Sequence, residues 1–169
     1  LPLKIFGDGP MAMEYRRIAR PNIEFVGKVD EAQKAELYRD AIAFLHPQEE
    51  DFGITALESM AAGRPVIAYG KGGALETVVP GVTGEFFGDQ EWEELATAII
   101  RFDASKYDSK IIRAHAEAFD VKIFKRRMAQ FVSDAWKTHK SCHSERSEES
   151  LSGKGSLTSF RMTEKKETA

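Results

Sequence analysis

Short apolar runs alternate along the chain with segments of helical spacing, and glycine- or proline-containing turns separate the two. Residues 3–6, 23–26, 41–45, 66–69 and 85–87 are runs of strand length. Between and after them, the spacing predicts helices over residues 11–19, 31–39, 54–62, 74–79 and 90–102, then a polar helix over 105–119 and a more apolar one over 120–140. Strands that alternate with helices predict an α/β domain. The expected architecture is a Rossmann-like, three-layer domain with a mostly parallel sheet of about five strands. Ile54, Leu57 and Ala61 are the apolar positions expected to pack the third helix. Trp92, Leu95, Ile99 and Phe102 recur at helical spacing and are expected to lie on the sheet as core.

The turns carry the more specific signals. Gly7-Asp8-Gly9-Pro10 hands the first strand to a helix, but it lacks the third glycine of a dinucleotide fingerprint, so an ordinary connection explains it as well as a phosphate loop does. Asp30 is placed to N-cap the second helix. Pro47 removes a ladder donor and biases His46 toward extended backbone, which ends the third strand. Glu49, Glu50 and Asp51 then precede Phe52-Gly53, the third helix follows, and Gly63-Arg64-Pro65 closes it. The fourth strand runs directly into Gly70-Lys71-Gly72-Gly73. In a parallel sheet, neighbouring strand ends and the helix N-termini after them share one rim, where N–H groups and helix dipoles attract anions. Carboxylates on that rim repel phosphate and suit hydroxyls instead. Together they point to a sugar phosphate or nucleotide.

Glu50 and Glu58 are separated by seven residues with Phe52-Gly53 inside the interval; Glu49 does not share this spacing, because Leu57 stands eight residues on. With Ser-Met-Ala-Ala-Gly-Arg-Pro-Val-Ile-Ala and Gly-Gly-x-x-Glu downstream, the stretch resembles the donor-binding half of retaining GT-B glycosyltransferases of family four. The resemblance extends to residues 7–10, 23–29 and 81–84 and covers roughly residues 3–102. It implies that Glu50 acts on the hydroxyls of the donor sugar as the catalytic carboxylate and that Glu58 binds the ribose hydroxyls. Phe52, Gly53, Ile54, Gly72 and Gly73 would serve the phosphates, and the loop at Lys28 and Val29 would lie near the base. His46 and Lys71 are further candidates: His46 is as well explained by a structural role, and Lys71 sits in the glycine loop within reach of a phosphate. The wording of residues 49–54 and 63–78 is most similar to bacterial members that transfer mannose from GDP-mannose. The leading expectation is therefore a hexosyltransferase fragment that binds a nucleotide sugar and needs a missing N-terminal domain to receive a glycan or lipid acceptor. The alternative is a noncatalytic nucleotide-binding module that works with a separate acceptor-domain chain.

Two other readings are weaker. A retaining glycosidase needs carboxyls about 5 to 5.5 Å apart, whereas eight helical residues rise about 12 Å. An epimerase needs an acid and a base flanking one sugar carbon, and no convincing pair is present.

Composition narrows the partners. The chain has 169 residues, 42% hydrophobic, which suits one ordinary domain. A net charge of −3 gives no reason to expect nucleic acid. The single cysteine, Cys142, excludes an internal disulfide and fits a reducing compartment, so a cytoplasmic protein is expected, peripheral to a membrane through the missing domain. No apolar run is long enough to span a bilayer. Cys142-His143 offers two ligands where a structural metal site takes four, so neither a metal nor a cofactor is expected. The domain is expected to occupy residues 1–140. Residues 141–169, rich in serine and charge, are expected to be a disordered tail.

Overall fold

The computed structural model describes the backbone of residues 1–152 and the side chains of residues 1–140. Two compact units are present, Leu1–Asp120 and a second beginning at Val121.

The first unit has the expected alternation. Its strands are β1 (Leu3–Phe6), β2 (Ile23–Gly27), β3 (Phe44–His46), β4 (Val66–Tyr69) and β5 (Gly84–Phe87). Its helices are α1 (Ala12–Ile18), α2 (Glu31–Asp40), α3 (Ile54–Ala61), the single turn α4 (Ala74–Thr77), α5 (Trp92–Arg101) and α6 (Ser109–Glu117). A 3₁₀ turn over Ala104–Lys106 precedes α6, so the helix expected from residue 105 begins later. All pairings between the named strands are parallel, but they form two sheets rather than one: β1 pairs with β2, and β3-β4-β5 form the other. Between β1 and β3 there is aromatic contact instead of a ladder. The Phe6 ring lies 6.5 Å from Phe44 and 5.7 Å, edge-on, from Tyr38.

β4 is the centre of the three-stranded sheet, and all four of its residues are buried. Its alternation separates two cores, as a strand covered on both faces requires. Val66 and Ala68 face Ala56 and Met60 of α3, with Ala74, Val78, and Ile112 and Ala116 of α6. Ile67 and Tyr69 face Phe87, with Leu95, Ala98, Ile99 and Phe102 from α5 and its C-terminal end. This is the expected three-layer arrangement.

Two expectations about packing are corrected. α3 buries Ala56, Ser59 and Met60, while Ile54 is 64% exposed and Ala61 is exposed; only Leu57 of the expected trio packs against the core. The sheet lies on one side of α3 and α6 on another, and the interval of four from Ala56 to Met60 tracks that wedge. Trp92 is 73% exposed and is not core. It is the first residue of α5, and the stripe that reaches the sheet starts one turn later, at Leu95.

The second unit is α7, Val121–Ser152. Helix therefore runs through 141–152, part of the segment expected to be disordered; the rest of that segment lies outside the described residues. Between Val121 and Ser152 there is neither proline nor glycine, the first glycine being Gly153, so nothing in the backbone interrupts the helix. The side chains of Cys142 and His143 also lie outside the described residues. Among the described residues, no helix is long and apolar enough to cross a membrane.

Candidate functional site

β3 and β4 run parallel in register, with His46 opposite Ala68, so the loops after them leave from the same edge. The two loops then touch backbone to backbone. The Gly73 N–H donates to the Glu50 carbonyl at 2.7 Å. A Cβ on Gly72 would stand 2.5 Å from that carbonyl oxygen, and one on Gly73 would fall on the Asp51 carbonyl and the Phe52 Cα. The glycines are thus needed for close approach. Gly73 holds the acidic turn in place, and its N–H is engaged in doing so. α4 is a single turn, so little dipole stands behind this loop.

The acidic turn ends at Gly53, whose φ of +77° is left-handed, and α3 starts there. Its carbonyl accepts from the N–H groups of Ala56 and Leu57, so those of Ile54 and Thr55 precede the first intrahelical donor and point to the helix entrance. Directly beneath lies His46, 1% exposed, with Nε2 3.2 Å from where a Gly53 Cβ would be. Burial pushes the His46 pKa below its ordinary value, and the Glu50 charge opposes this only in part. His46 is therefore a neutral floor to the turn, buried away from solvent. Its Nδ1 and the Thr55 Oγ1 are buried without a hydrogen-bond partner among the described residues.

On the solvent side, Glu50 is exposed and accepts from Gln48 Nε2 at 2.9 Å. Phe52 is 43% exposed and meets Phe119 edge-on, with ring centroids 6.1 Å apart. Gln90 donates to the Pro47 carbonyl at 2.9 Å, so the segment after β5 also braces the turn. The Lys71 ammonium lies over the Tyr69 ring, 5.3 Å from its centroid, on the exposed side of the glycine loop.

Glu58 lies farther along α3 and faces α2. Its Oε1 accepts from Lys34 Nζ at 2.8 Å and its Oε2 from the Tyr38 hydroxyl at 3.2 Å. Bonding to Glu58, and then to Glu31, raises the Lys34 pKa. Burial first, and the Glu58 charge second, push the Tyr38 hydroxyl up as well, so it remains a proton donor. A cleft of about 320 Å³ opens here, lined by Glu31, Lys34, Tyr38, Glu58 and three alanines. α2 is the helix that Lys28 and Val29 lead into: Lys28 is exposed, Val29 is half-buried, and Asp30 caps the helix through a reciprocal capping box with Gln33.

The structure thus brings Glu50, Phe52, Gly53, Ile54, His46, Gly72 and Gly73 together at one pair of strand ends. Glu58 is linked to them through α3 and to the Lys28-Val29 loop through α2. Sequence reasoning missed Lys34 and Tyr38; their interval of four on α2 puts both on one face, but nothing local says that Glu58 is what they face. Among the described residues, no group of three His, Cys, Asp or Glu side chains is placed to hold a metal ion.

The family model described as glycosyl transferases group 1 matches residues 1–119. The alpha-1,3/1,6-mannosyltransferase ALG2 of Dictyostelium discoideum is 49% identical over 61 residues, which are 36% of this chain and 14% of that protein. The GDP-mannose-dependent alpha-mannosyltransferase of Mycolicibacterium smegmatis is 39% identical over 85 residues, 50% of this chain and 22% of that protein. Among solved structures, the sucrose-phosphate synthase of Thermosynechococcus elongatus superposes with a TM-score of 0.68 at 30% identity, covering 80% of this chain and 39% of the other. Anabaena HepE, solved in complex with UDP-glucose, gives a TM-score of 0.63 at 26% identity, covering 79% and 41%. The chain therefore spans less than half the length of each of these proteins.

Proposed function

The chain belongs to the glycosyl transferases group 1 family, and from that membership we propose that it is the nucleotide-sugar-binding part of a retaining hexosyltransferase. The observation that carries this reading is the contact between the Gly72-Gly73 turn and the backbone of residues 50–52 at adjacent parallel strand ends. It holds the Glu50 backbone in the turn just ahead of the N-terminus of α3.

The chemistry requires that pairing. As the glycosidic bond to a nucleoside diphosphate breaks, negative charge grows on the departing phosphate and positive charge grows on the sugar. The N–H groups of Ile54 and Thr55, with the α3 dipole behind them, stabilise the phosphate side. Glu50 holds a hydroxyl of the sugar and lies near the positive centre. Gly53, left-handed at a φ of +77°, turns the chain into α3 so that these N–H groups face the diphosphate, and Glu58 accepts the ribose hydroxyls. Lys28 and Val29 sit at the base, Phe52 closes one wall, and Lys71 stands within reach of the phosphates. No metal is needed for this division of labour.

We propose GDP-mannose as the donor. The support is the resemblance of residues 49–54 and 63–78 to mannosyl-transferring members, together with similarity to a relative named for GDP-mannose dependence. A glycan or lipid acceptor would be held by a further domain, in a cytoplasmic enzyme peripheral to the membrane, and the chain alone would transfer nothing.

Calorimetric titration with GDP, UDP, ADP and GDP-mannose, beside a Glu58→Ala control, tests this reading. A guanosine-selective signal that the control loses is expected. Selectivity for uridine would overturn the donor, and a signal undiminished in the control would overturn the role of Glu58.

A further inference from the structure

Each oxygen of Glu58 is held by a different residue of α2, at 2.8 Å from Lys34 and 3.2 Å from Tyr38. We infer that Lys34 and Tyr38 are positioning residues that set the Glu58 carboxylate to receive a vicinal diol. The inference rests on the proposal that Glu58 binds the ribose of the donor.

A carboxylate offers roughly four acceptor sites, two on each oxygen. Lys34 and Tyr38 take one on each oxygen, which leaves one on each for a further donor. The two hydroxyls of a ribose supply one donor apiece, so the remaining sites match them in number. The two clamps also differ usefully in kind. Lys34 contributes a charge-assisted bond at 2.8 Å to the Glu58 carboxylate, whose side chain is 31% exposed. The Tyr38 hydroxyl fixes the rotation of the carboxylate about its last bond.

The clamp is itself braced. The Lys34 side chain is only 19% exposed and shares its ammonium with Glu31 at 3.1 Å. Tyr38 is 3% exposed and wedged edge-on between Phe6 and Phe44, at 5.7 and 5.4 Å. The adjoining cleft of about 320 Å³ leaves room beside the carboxylate. Neither clamp is a catalytic residue, since neither touches a reacting atom. Their effect passes through Glu58 and reads out as discrimination between ribose and deoxyribose.

The test is the ratio of affinities for GDP and 2′-deoxy-GDP, measured by calorimetry on the whole chain. Circular dichroism establishes that each variant is folded. For the native chain, a preference for the ribonucleotide of about tenfold is expected, the cost of leaving one acceptor unpaired. Glu58→Ala brings the ratio to near one. Lys34→Met and Tyr38→Phe each reduce it to about two- to threefold, and Lys34→Arg, which retains charge and donors, restores most of it. An unchanged ratio in both clamp variants, with collapse in Glu58→Ala, would overturn the positioning role and leave the ribose contact standing. A ratio unchanged in Glu58→Ala would instead refute the ribose contact itself. Tighter binding of both nucleotides by Lys34→Met would make Lys34 a competitor of the diol, which also overturns the inference.

Discussion

His46 shows how a single residue ties stability to the site. It sits under Gly53, 1% exposed and neutral, with burial holding its pKa down. In the unfolded chain it titrates near the ordinary value of about 6.5. Because its folded pKa is depressed, the unfolded state binds the proton first. The stability that depends on neutral His46 is complete above about pH 6.5 and declines as pH falls below that value, with a slope of at most about 1.4 kcal/mol per pH unit. Denaturant midpoints at pH 7.5 and 5.5 should therefore differ in the native chain and differ less in His46→Asn. Equal pH dependence in the two would show that His46 does not titrate as its burial requires. At this scale the sequence was legible in spacing but not in partners. The interval from Glu50 to Glu58 and the run of three carboxylates were visible, whereas the bonds of Glu58 to residues 24 and 20 positions earlier were not. A local pattern carries no record of which distant helix lies alongside.

Elements were legible in kind and order because each has a period and punctuation. Asp30 was readable as a cap, and it accepts from the Gln33 N–H at 2.8 Å while Gln33 returns a bond at 3.1 Å. Asp30→Ala should lower stability by about 1 kcal/mol, read from the denaturant midpoint, and an unchanged midpoint would show that α2 is held by Tyr38 packing alone. The facing of α3 was not legible, since apolar residues occur on more than one side of it and packing against both β4 and α6 selected Ala56 and Met60. The division into two sheets was hidden for a similar reason. Alternation along β1 and β3 specifies faces, but it does not say whether their edges meet as a ladder or through the rings of Phe6 and Phe44. α7 was legible to Lys140 by its apolar spacing. Its continuation to Ser152 depends on backbone compatibility, which a judgement based on core-forming residues does not weigh.

For the molecule as a whole, the first unit brings a run of carboxylates and the N-terminus of α3 to one pair of strand ends, and the glycines make that possible by letting two loops share one space. A nucleotide sugar is proposed to bind there. The most direct measurement is a map of amide chemical shifts by nuclear magnetic resonance, recorded on the whole chain as GDP-mannose is added. The largest changes should fall on Gly53, Ile54, Thr55 and Gly72, with smaller ones on Lys28 and Val29. Changes confined to other surfaces, or none at saturating donor, would contradict this proposal.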